Sequence, residues 1–248
     1  MDLEFLKTRR TIRKYSDQDI PSELINEILE CGIRSSNTGN MQLYSIVVTR
    51  SADKKEMLEP LHFNQPMVKS APVILTICFD LNRFKLWCEK SNTALDFSNL
   101  LWLLNGTIDA SILAQTICVA AEANDLGICY LGTTLYNAPE ISTVLNLPYG
   151  VIPITTLTLG YPEVIPELTD RLSVDAVIHS EEYQNYSSEK IEIIFQEKEK
   201  LESSKLFVAQ NGKENLAQVF TEVRYKKTDS EYFSRKLKNM LTDQGFDL

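Results

Sequence analysis

A basic run near the start of the chain is the first group of residues whose types and spacing could do chemistry. Arg9, Arg10 and Arg13 place three guanidinium groups within five residues, and the hydroxyl of Thr11 lies between them. Guanidinium groups bind phosphate oxygens in pairs, and a hydroxyl adds a neutral donor. In an extended segment alternate side chains share a face, so Arg9, Thr11 and Arg13 would point one way while Ile12 enters the core. The run predicts a site for a small phosphate monoester, and a basic surface turn is the alternative while the run is taken alone.

Other kinds of catalytic site find little support in the sequence. His62 and His179 are the two histidines of the chain, so a cluster of histidine metal ligands cannot be built, and we expect no metal site. Neither histidine lies in a zinc-protease or serine-hydrolase motif, and we expect both to be capping or surface residues. Glycine-rich dinucleotide and P-loop motifs are absent. A bound phosphate must therefore be held by side chains.

Charge and cysteine content narrow the class of protein further. The chain has 25 Lys+Arg against 34 Asp+Glu, a net charge of −9, which argues against a general nucleic-acid binder because such proteins neutralise phosphates with cations. The cysteines are odd in number, and none forms a C-x-x-C pair: Cys31, Cys78, Cys88, Cys118 and Cys129. They predict reduced, buried thiols and a cytoplasmic protein.

Neither a secretory leader nor a membrane span is expected. The segment from Met1 to Thr11 mixes acids and bases and lacks an apolar stretch. The most apolar segment, residues 108–123, carries Asp109, Gln115 and Glu122. We therefore expect it to form a core helix rather than a membrane-spanning one.

Hydrophobic periodicity predicts the elements that must position these residues. Helical spacing occurs at residues 22–34, 53–61, near 86, 107–124, 139–145, 189–205, 214–226 and 230–242. Strand patterns occur at residues 43–49, 73–79, 129–133 and 152–159. Between the first helix and the first strand, residues 35–42 are rich in short polar side chains that resist regular structure. The pattern predicts one α+β domain over residues 1–248, with a core at about 1–185 and a helical extension at about 186–248.

The order of several short motifs is more specific than any one of them. The chain reads R-R-T-I-R-K-Y at 9–15, I-P at 20–21, I-L-E-C-G at 28–32 and S-N-T-G-N-M-Q at 36–42. It continues with N-Q-P-M-V at 64–68, A-A-E-A-N-D-L-G at 120–127, Y-L-G at 130–132, L-P at 147–148, L-G-Y-P at 159–162 and R-L at 171–172. In this order the chain resembles the nitroreductase family of flavoenzymes. The spacing is most similar to the branch of the major oxygen-insensitive nitroreductases and the NADPH:FMN oxidoreductases of luminous bacteria.

The resemblance implies both a fold and an activity. The fold is an FMN-binding α+β domain with a central, mainly antiparallel sheet flanked by helices, in an obligate homodimer with a flavin site at each subunit boundary. The activity is FMN-dependent NAD(P)H oxidation by ping-pong hydride transfer to a small-molecule electron acceptor: a nitroaromatic, a quinone or a free flavin. Such chemistry needs no catalytic acid or base from the protein, because the flavin N5 atom carries the hydride.

The resemblance also implies which positions bind the cofactor. The first FMN motif is matched at Arg9, Arg10, Thr11 and Arg13, with Thr11 as a phosphate hydroxyl and Arg13 near the pyrimidine edge. The turn beside the flavin ring is matched at Ser36, Asn37, Thr38 and Gln42. Gln65 matches a glutamine that contacts the polar edges of the flavin ring. The strand end whose backbone approaches N5 is matched at Tyr130, Leu131, Gly132 and Thr133. The arginine of a phosphate clamp is matched by Arg171.

The chain departs from the family pattern at a few of these positions. Thr169 replaces the lysine of the clamp, Asp170 stands beside the arginine, and Thr133 replaces a second glycine in the turn. Arg9 stands where a histidine is common in this branch, and we expect it to restore a cation. Lys213 lies where an arginine associated with NADPH would be, so the choice between NADH and NADPH stays open.

Two alternatives remain beside the enzyme. The lost clamp lysine and the missing NADPH arginine are compatible with a non-catalytic protein that binds or sequesters flavin. The basic N-terminus is compatible with a plain interaction protein that binds a polyanion, which the net charge of −9 disfavours.

Overall fold

The structure is a computed structural model that describes residues 3–95 and 97–248. The expectation about a leader therefore falls partly on Met1 and Asp2, which lie outside the described residues. Two compact units are present. One contains the chain as far as Glu167 together with Phe233–Leu248, and the other is Leu168–Tyr232. The single domain with a core at about 1–185 stays a prediction.

A four-stranded antiparallel sheet forms the centre of the first unit. Its strands are β1 (Tyr44–Thr49), β2 (Val73–Asp80), β3 (Gly127–Leu131) and β4 (Val151–Gly160), in the order β1-β2-β4-β3. The central strands β2 and β4 are buried almost throughout. Because both of their faces are covered, their sequences read as continuous apolar and threonine runs rather than as an alternation. The predicted α+β fold with an antiparallel sheet is confirmed.

The N-terminal basic run is fixed along the edge of this sheet. Thr11 pairs with Ile128 in a parallel bridge, and the Ile12 N–H donates to the Ile128 carbonyl at 2.9 Å. Ile12 is buried, as its alternation with the polar residues predicted. A Cβ atom at Gly127 would lie 2.5 Å from Ile12, so the close approach of the segment to β3 requires glycine there.

Helices surround the sheet in the sequence of the first unit, and α6 packs directly on it. They are α1 (Leu3–Lys7), α2 (Ser22–Ile33), α3 (Ala52–Leu58), α4 (Pro66–Ser70), α5 (Asn82–Lys90), α6 (Leu100–Glu122) and α7 (Ala138–Leu145), and α1 has no buried residue. Short 3-10 turns occur at Thr38–Asn40, Pro60–His62 and Thr134–Asn137. The predicted helix at 53–61 ends at Leu58 because Pro60 cannot continue it.

Helix α6 is the long core helix of this unit. It begins at Leu100 instead of residue 107, because the Asn99 side chain accepts a hydrogen bond from the Trp102 N–H at 3.3 Å and caps it. The helix has the length and composition to cross a membrane. However, one face, which includes Asp109, Leu113 and Ile117, is buried in the core of the unit, as expected for a core helix.

The second unit is built from short helices. They are α8 (Val174–Val177), α9 (Ser188–Lys200), α10 (Glu202–Gln210), α11 (Leu216–Gln218) and a π-helical turn at Val219–Arg224. The prediction of one helix over 189–205 is wrong, since Leu201 is extended, with ψ at 134°, and separates α9 from α10. The last helix, α12 (Lys227–Asp243), is followed by Gly245 at φ +81°, which fits its predicted role as a helix stop.

Candidate functional site

Arg9 of the basic run is committed to an ion pair inside the protein. Its Nη2 and Nε atoms donate to the two carboxylate oxygens of Glu122 at 3.0 and 3.2 Å, and Nη2 also lies 3.0 Å from Cys118 Sγ. The side chains of Arg9 and Glu122 are 26% and 11% exposed. The ion pair neutralises part of the charge of Arg9, and the expectation that Arg9 restores a cation to the cofactor site stays a prediction.

Arg10 and Arg13 keep their charges available. Neither makes an ion pair with a carboxylate among the residues that the structure describes. The Arg10 Nε atom is buried and has no hydrogen-bond partner within the described part of the chain, which is rare for a buried donor and indicates a missing acceptor. Arg13 is exposed beside Cys129. These two cations are the groups of the run that fit a phosphate.

The polar loop at 36–42 is anchored to helix α6 by a buried carboxylate. Both oxygens of Asp109 accept a hydrogen bond from the Thr38 N–H at 3.0 Å, and Oδ1 also accepts one from the Thr38 hydroxyl at 3.0 Å. Asp109 is only 2% exposed. In the sequence it indicated only that the apolar segment does not span a membrane, so its role in the loop was missed. Ser36, which precedes the anchor, is exposed.

Left-handed backbone shapes the same loop. Gly39, Asn40 and Gln42 have φ values of 58°, 55° and 53°. Of these three, Gln42 has the side chain that is least often found in the left-handed conformation. Its N–H donates to Asn37 Oδ1 at 3.2 Å, and its carbonyl oxygen accepts a hydrogen bond from Arg83 Nη2. The predicted residues Asn37, Thr38 and Gln42 thus form one loop whose conformation is fixed by side-chain contacts.

The structure brings Gln65 next to the turn that follows β3. Gln65 Nε2 donates to the His62 carbonyl at 3.1 Å and makes a longer contact of 3.4 Å with Thr133 Oγ1. Gly132 is exposed, and a Cβ atom there would meet no atom of the described residues within 4 Å. Leu131 is buried, while the Tyr130 hydroxyl donates to Gln115 Oε1 of α6 at 3.3 Å. The turn therefore leaves open space in front of Gly132.

His62 is a member of this group that sequence reasoning missed. It is fully buried, so the expectation of a capping or surface residue is wrong. Its Nδ1 atom lies 2.8 Å from Thr133 Oγ1, and burial lowers the pKa of the imidazole to about 4. The available signal was its place three residues before Gln65.

Arg171 lies in the second unit. Its Nη1 atom donates to Thr169 Oγ1 and to the Asp170 carbonyl, both at 2.8 Å. Asp170 is paired with Lys198 at 2.7 Å, so the acid beside Arg171 has its own cation. The phosphate-binding role of Arg171 stays a prediction.

Lys213, the candidate for the missing NADPH arginine, is also paired. Its Nζ atom lies 2.7 Å from Glu222 Oε2 within the second unit. The carboxylate neutralises the lysine, which weakens its attraction for a further phosphate.

The cysteines and metal ligands give a simpler result. All five cysteines are free thiols; four are buried, and Cys31 is exposed, contrary to the expectation that all are buried. Among the described residues no group of three or more potential ligands could hold a metal ion.

Helix α6 supports three of the predicted segments at once. Asp109 holds the loop at 36–42, Gln115 holds Tyr130, and Glu122 holds Arg9. At about 1.5 Å of rise per residue, these contacts are spread along roughly 20 Å of the helix. Helix α6 is thus a shared support for three of the segments that carry predicted site residues.

Comparison with known proteins identifies the family. Residues 6–161 match the nitroreductase family. The FMN reductase (NAD(P)H) of Bacillus subtilis is 28% identical over 250 residues, which cover 98% of this chain and 97% of that protein. A solved structure from Bacteroides fragilis is 50% identical, with a TM-score of 0.97 over 99% of this chain and 100% of that one. The NADPH:FMN oxidoreductase of Vibrio harveyi, complexed with NAD+, is 25% identical, with a TM-score of 0.78 over 98% and 97% of the two chains. The chain belongs to the nitroreductase family.

Proposed function

We propose that this chain is an FMN-dependent NAD(P)H oxidoreductase that passes hydride to a nitroaromatic, a quinone or a free flavin. The family match and the relatives named FMN reductase and NADPH:FMN oxidoreductase confirm the predicted class of activity, with FMN and NAD(P)H as cofactors. The acceptor belongs to the proposal. The observation that carries it in the structure is the pair of cations Arg10 and Arg13, which make no ion pair among the described residues and lie on the edge of a sheet whose neighbouring turn is open.

The residues present fit FMN. Its phosphate needs cations and donors, and the buried Arg10 Nε atom lacks a partner among the described residues. The pyrimidine edge of its ring becomes negative on reduction, and the exposed Arg13 is the cation assigned to that edge. The flavin ring must approach the protein backbone closely. The space in front of Gly132 allows this, because no atom of the described residues lies within 4 Å of the point where a Cβ atom would be. When bound, FMN supplies the hydride-accepting N5 atom.

The chain's own residues would bind and orient the cofactor. Arg10 offers charge-assisted hydrogen bonds to a phosphate dianion and Arg13 offers them to the pyrimidine edge of the ring, and each such bond contributes about 1.5 to 3 kcal/mol. A nearby cation also stabilises the negative charge that reduction of the ring creates. Because hydride transfer depends on positioning, a site without a general acid or base is sufficient.

We infer that the protein is a homodimer, in which a second copy of the chain covers an exposed apolar surface of the first. Leu100, Leu104, Ile108 and Ile112 lie four residues apart on α6 and are 52%, 52%, 55% and 38% exposed. At this spacing they form one apolar stripe along the helix. A contiguous exposed apolar stripe marks an interaction surface, and a twofold homodimer would cover it with its own copy. We also propose a cytoplasmic location, which the five free thiols support.

The visible spectrum of the purified protein tests the proposal. Addition of FMN should give bound flavin with absorbance at about 450 nm, and anaerobic NADH or NADPH should bleach it within seconds. Bound flavin that neither nucleotide reduces would instead identify a flavin-sequestering protein, the alternative that the Lys213–Glu222 pair favours. Protein that binds no FMN and oxidises neither nucleotide would contradict both.

A further inference from the structure

A small hydrogen-bond network joins the two turns that carry Gln65 and Thr133. His62 Nδ1 lies 2.8 Å from Thr133 Oγ1, and Gln65 Nε2 lies 3.1 Å from the His62 carbonyl and 3.4 Å from Thr133 Oγ1. Thr133 Oγ1 therefore has two polar neighbours. Which atom donates the hydrogen in each contact follows from the chemistry of the groups.

The turn that carries His62 and Gln65 is held from several sides. Phe63 has a left-handed φ of 56°, and its ring packs edge-on against Tyr136 at 6.1 Å between centroids. Asn137 Nδ2 donates to the Leu61 carbonyl at 2.7 Å. A left-handed aromatic residue persists only where its surroundings fix it. The positions of His62 and Gln65 are thus set by the scaffold.

The orientation of the Gln65 amide is fixed by the His62 carbonyl. A backbone carbonyl oxygen only accepts hydrogen bonds, so the side-chain atom that faces it at 3.1 Å must be the NH2 group. The same NH2 group faces Thr133 Oγ1 and donates its second hydrogen there. Gln65 therefore fills one acceptor position of the Thr133 hydroxyl oxygen.

The buried position of His62 decides which ring nitrogen carries the proton. His62 Nε2 is buried without a partner among the described residues. An orphaned N–H is costlier than an orphaned acceptor, since buried N–H groups are almost always paired. The proton is therefore on Nδ1, which donates to Thr133 Oγ1 at 2.8 Å. The imidazole stays neutral, because burial lowers its pKa to about 4.

We propose that His62 and Gln65 fill both acceptor positions of Thr133 Oγ1, so that the Thr133 O–H is a committed hydrogen-bond donor toward the ring of bound FMN. A hydroxyl has one donor and two acceptor positions, and only the donor is left. The open space in front of the adjacent Gly132 is where an acceptor atom of the ring can approach. This inference rests on the proposed function, and His62 acts in it as a positioning residue.

Two neighbouring threonines provide the test. Thr133→Val removes the donor with little change of shape, and FMN titration of the purified protein should show binding weakened about 3- to 10-fold. Thr133→Ser keeps the hydroxyl and should recover most of the loss. Thr134→Val is the matched control, because the Thr134 hydroxyl donates its one hydrogen to the Leu131 carbonyl at 2.9 Å, and its oxygen lies 3.0 Å from Thr156 Oγ1. It should unfold at a lower temperature and bind FMN like the wild type.

A second measurement does not depend on the variants. Nitrogen-15 NMR of the imidazole in the FMN-bound protein should show the proton of His62 on Nδ1. A proton on Nε2, or FMN affinity of Thr133→Val within about twofold of the wild type, would overturn the inference. Wild-type protein that fails to bind FMN would overturn the proposed function instead, so the two failures are distinct.

Discussion

The guanidinium group of Arg9 is bound by two hydrogen bonds to the carboxylate of Glu122, at 3.0 and 3.2 Å. The pair joins the N-terminal basic run to the last turn of helix α6, 113 residues further along the chain. Both side chains are largely shielded, with 26% and 11% of their surface exposed. Arg9 therefore fixes the basic run to helix α6, while Arg10 and Arg13 make no ion pair among the described residues and stay the proposed ligand-binding cations.

Substitution of Arg9 should act on stability. Arg9→Ala leaves the Glu122 carboxylate without its cation, and we expect the free energy of unfolding to fall by about 2 kcal/mol. Urea denaturation measures the change. Lys7→Ala is the control, because Lys7 and Glu4 are an exposed pair 4.0 Å apart, and such pairs contribute little. An equal fall in the free energy of unfolding in the two variants would show that the Arg9–Glu122 pair stabilises the fold no more than an exposed ion pair does.

Substitution of Arg13 should act on cofactor binding. Arg13→Ala removes a cation that makes no ion pair among the described residues, so we expect FMN binding to weaken by about 1.5 to 3 kcal/mol. The same loss is expected for Arg171→Ala. Fluorescence titration with FMN gives the affinity, and Lys14→Ala, which removes an adjacent exposed charge, should stay within about threefold of the wild type. Unchanged affinity in both arginine variants would show that the family positions are misassigned.

Much of the fold could be predicted because its central strands and helices have strong local patterns. The strand predicted at 73–79 is Val73–Asp80, and the one predicted at 152–159 is Val151–Gly160. Errors occurred where one residue overrides a pattern. Leu201 breaks a charged segment whose composition favours a continuous helix, and Asn99 starts α6 before its periodicity is visible.

The candidate site could be predicted only in part. Motif order identified segments that the structure fixes along α6, because such segments are continuous in sequence. The contacts between distant residues left no local signal: Asp109 holds Thr38 across 71 positions, and His62 reaches Thr133 across 71. Each of these partners is an unremarkable polar residue when its own neighbours alone are considered.

Loss of the Asp109 carboxylate should release the loop at 36–42. We expect Asp109→Ala to speed amide hydrogen exchange at Thr38, whose N–H donates to Asp109 at 3.0 Å, and to lower the free energy of unfolding by about 1 to 3 kcal/mol. Hydrogen-exchange mass spectrometry resolves the loop peptide. Asp17→Ala, at an exposed position whose backbone is not left-handed, is the control. Wild-type exchange at Thr38 in Asp109→Ala would contradict the anchoring role.

Burial of His62 should make the protein less stable in acid. The unfolded chain protonates this histidine below pH 6.5, but the folded chain does so only below about pH 4. Between these values the unfolded state binds the extra proton. The free energy of unfolding therefore falls as pH drops, by about 1.4 kcal/mol per unit and about 3 kcal/mol in total.

Removal of the imidazole separates this effect from other acid-sensitive groups. His62→Gln should reduce the slope of unfolding free energy against pH between 4 and 6.5 by about one proton, as measured by urea denaturation at several pH values. Leu58→Ala is the control, because Leu58 is fully buried and has no titrating group. It should lower stability equally at every pH. An unchanged slope in His62→Gln would mean that the imidazole is not excluded from water in the folded protein.

The apolar stripe on α6 predicts the assembly of the protein. We expect the wild type to be a dimer by light scattering and Ile108→Glu to be a monomer, because a carboxylate at a position that is 55% exposed in the single chain would be buried unpaired at the interface. Met57→Glu, on α3 and 50% exposed, is the matched control and should remain dimeric. If the flavin site lies at the subunit boundary, the Ile108→Glu monomer should also bind FMN more weakly while keeping its helical content by circular dichroism. A monomeric wild type would contradict both the stripe as an interface and the shared site.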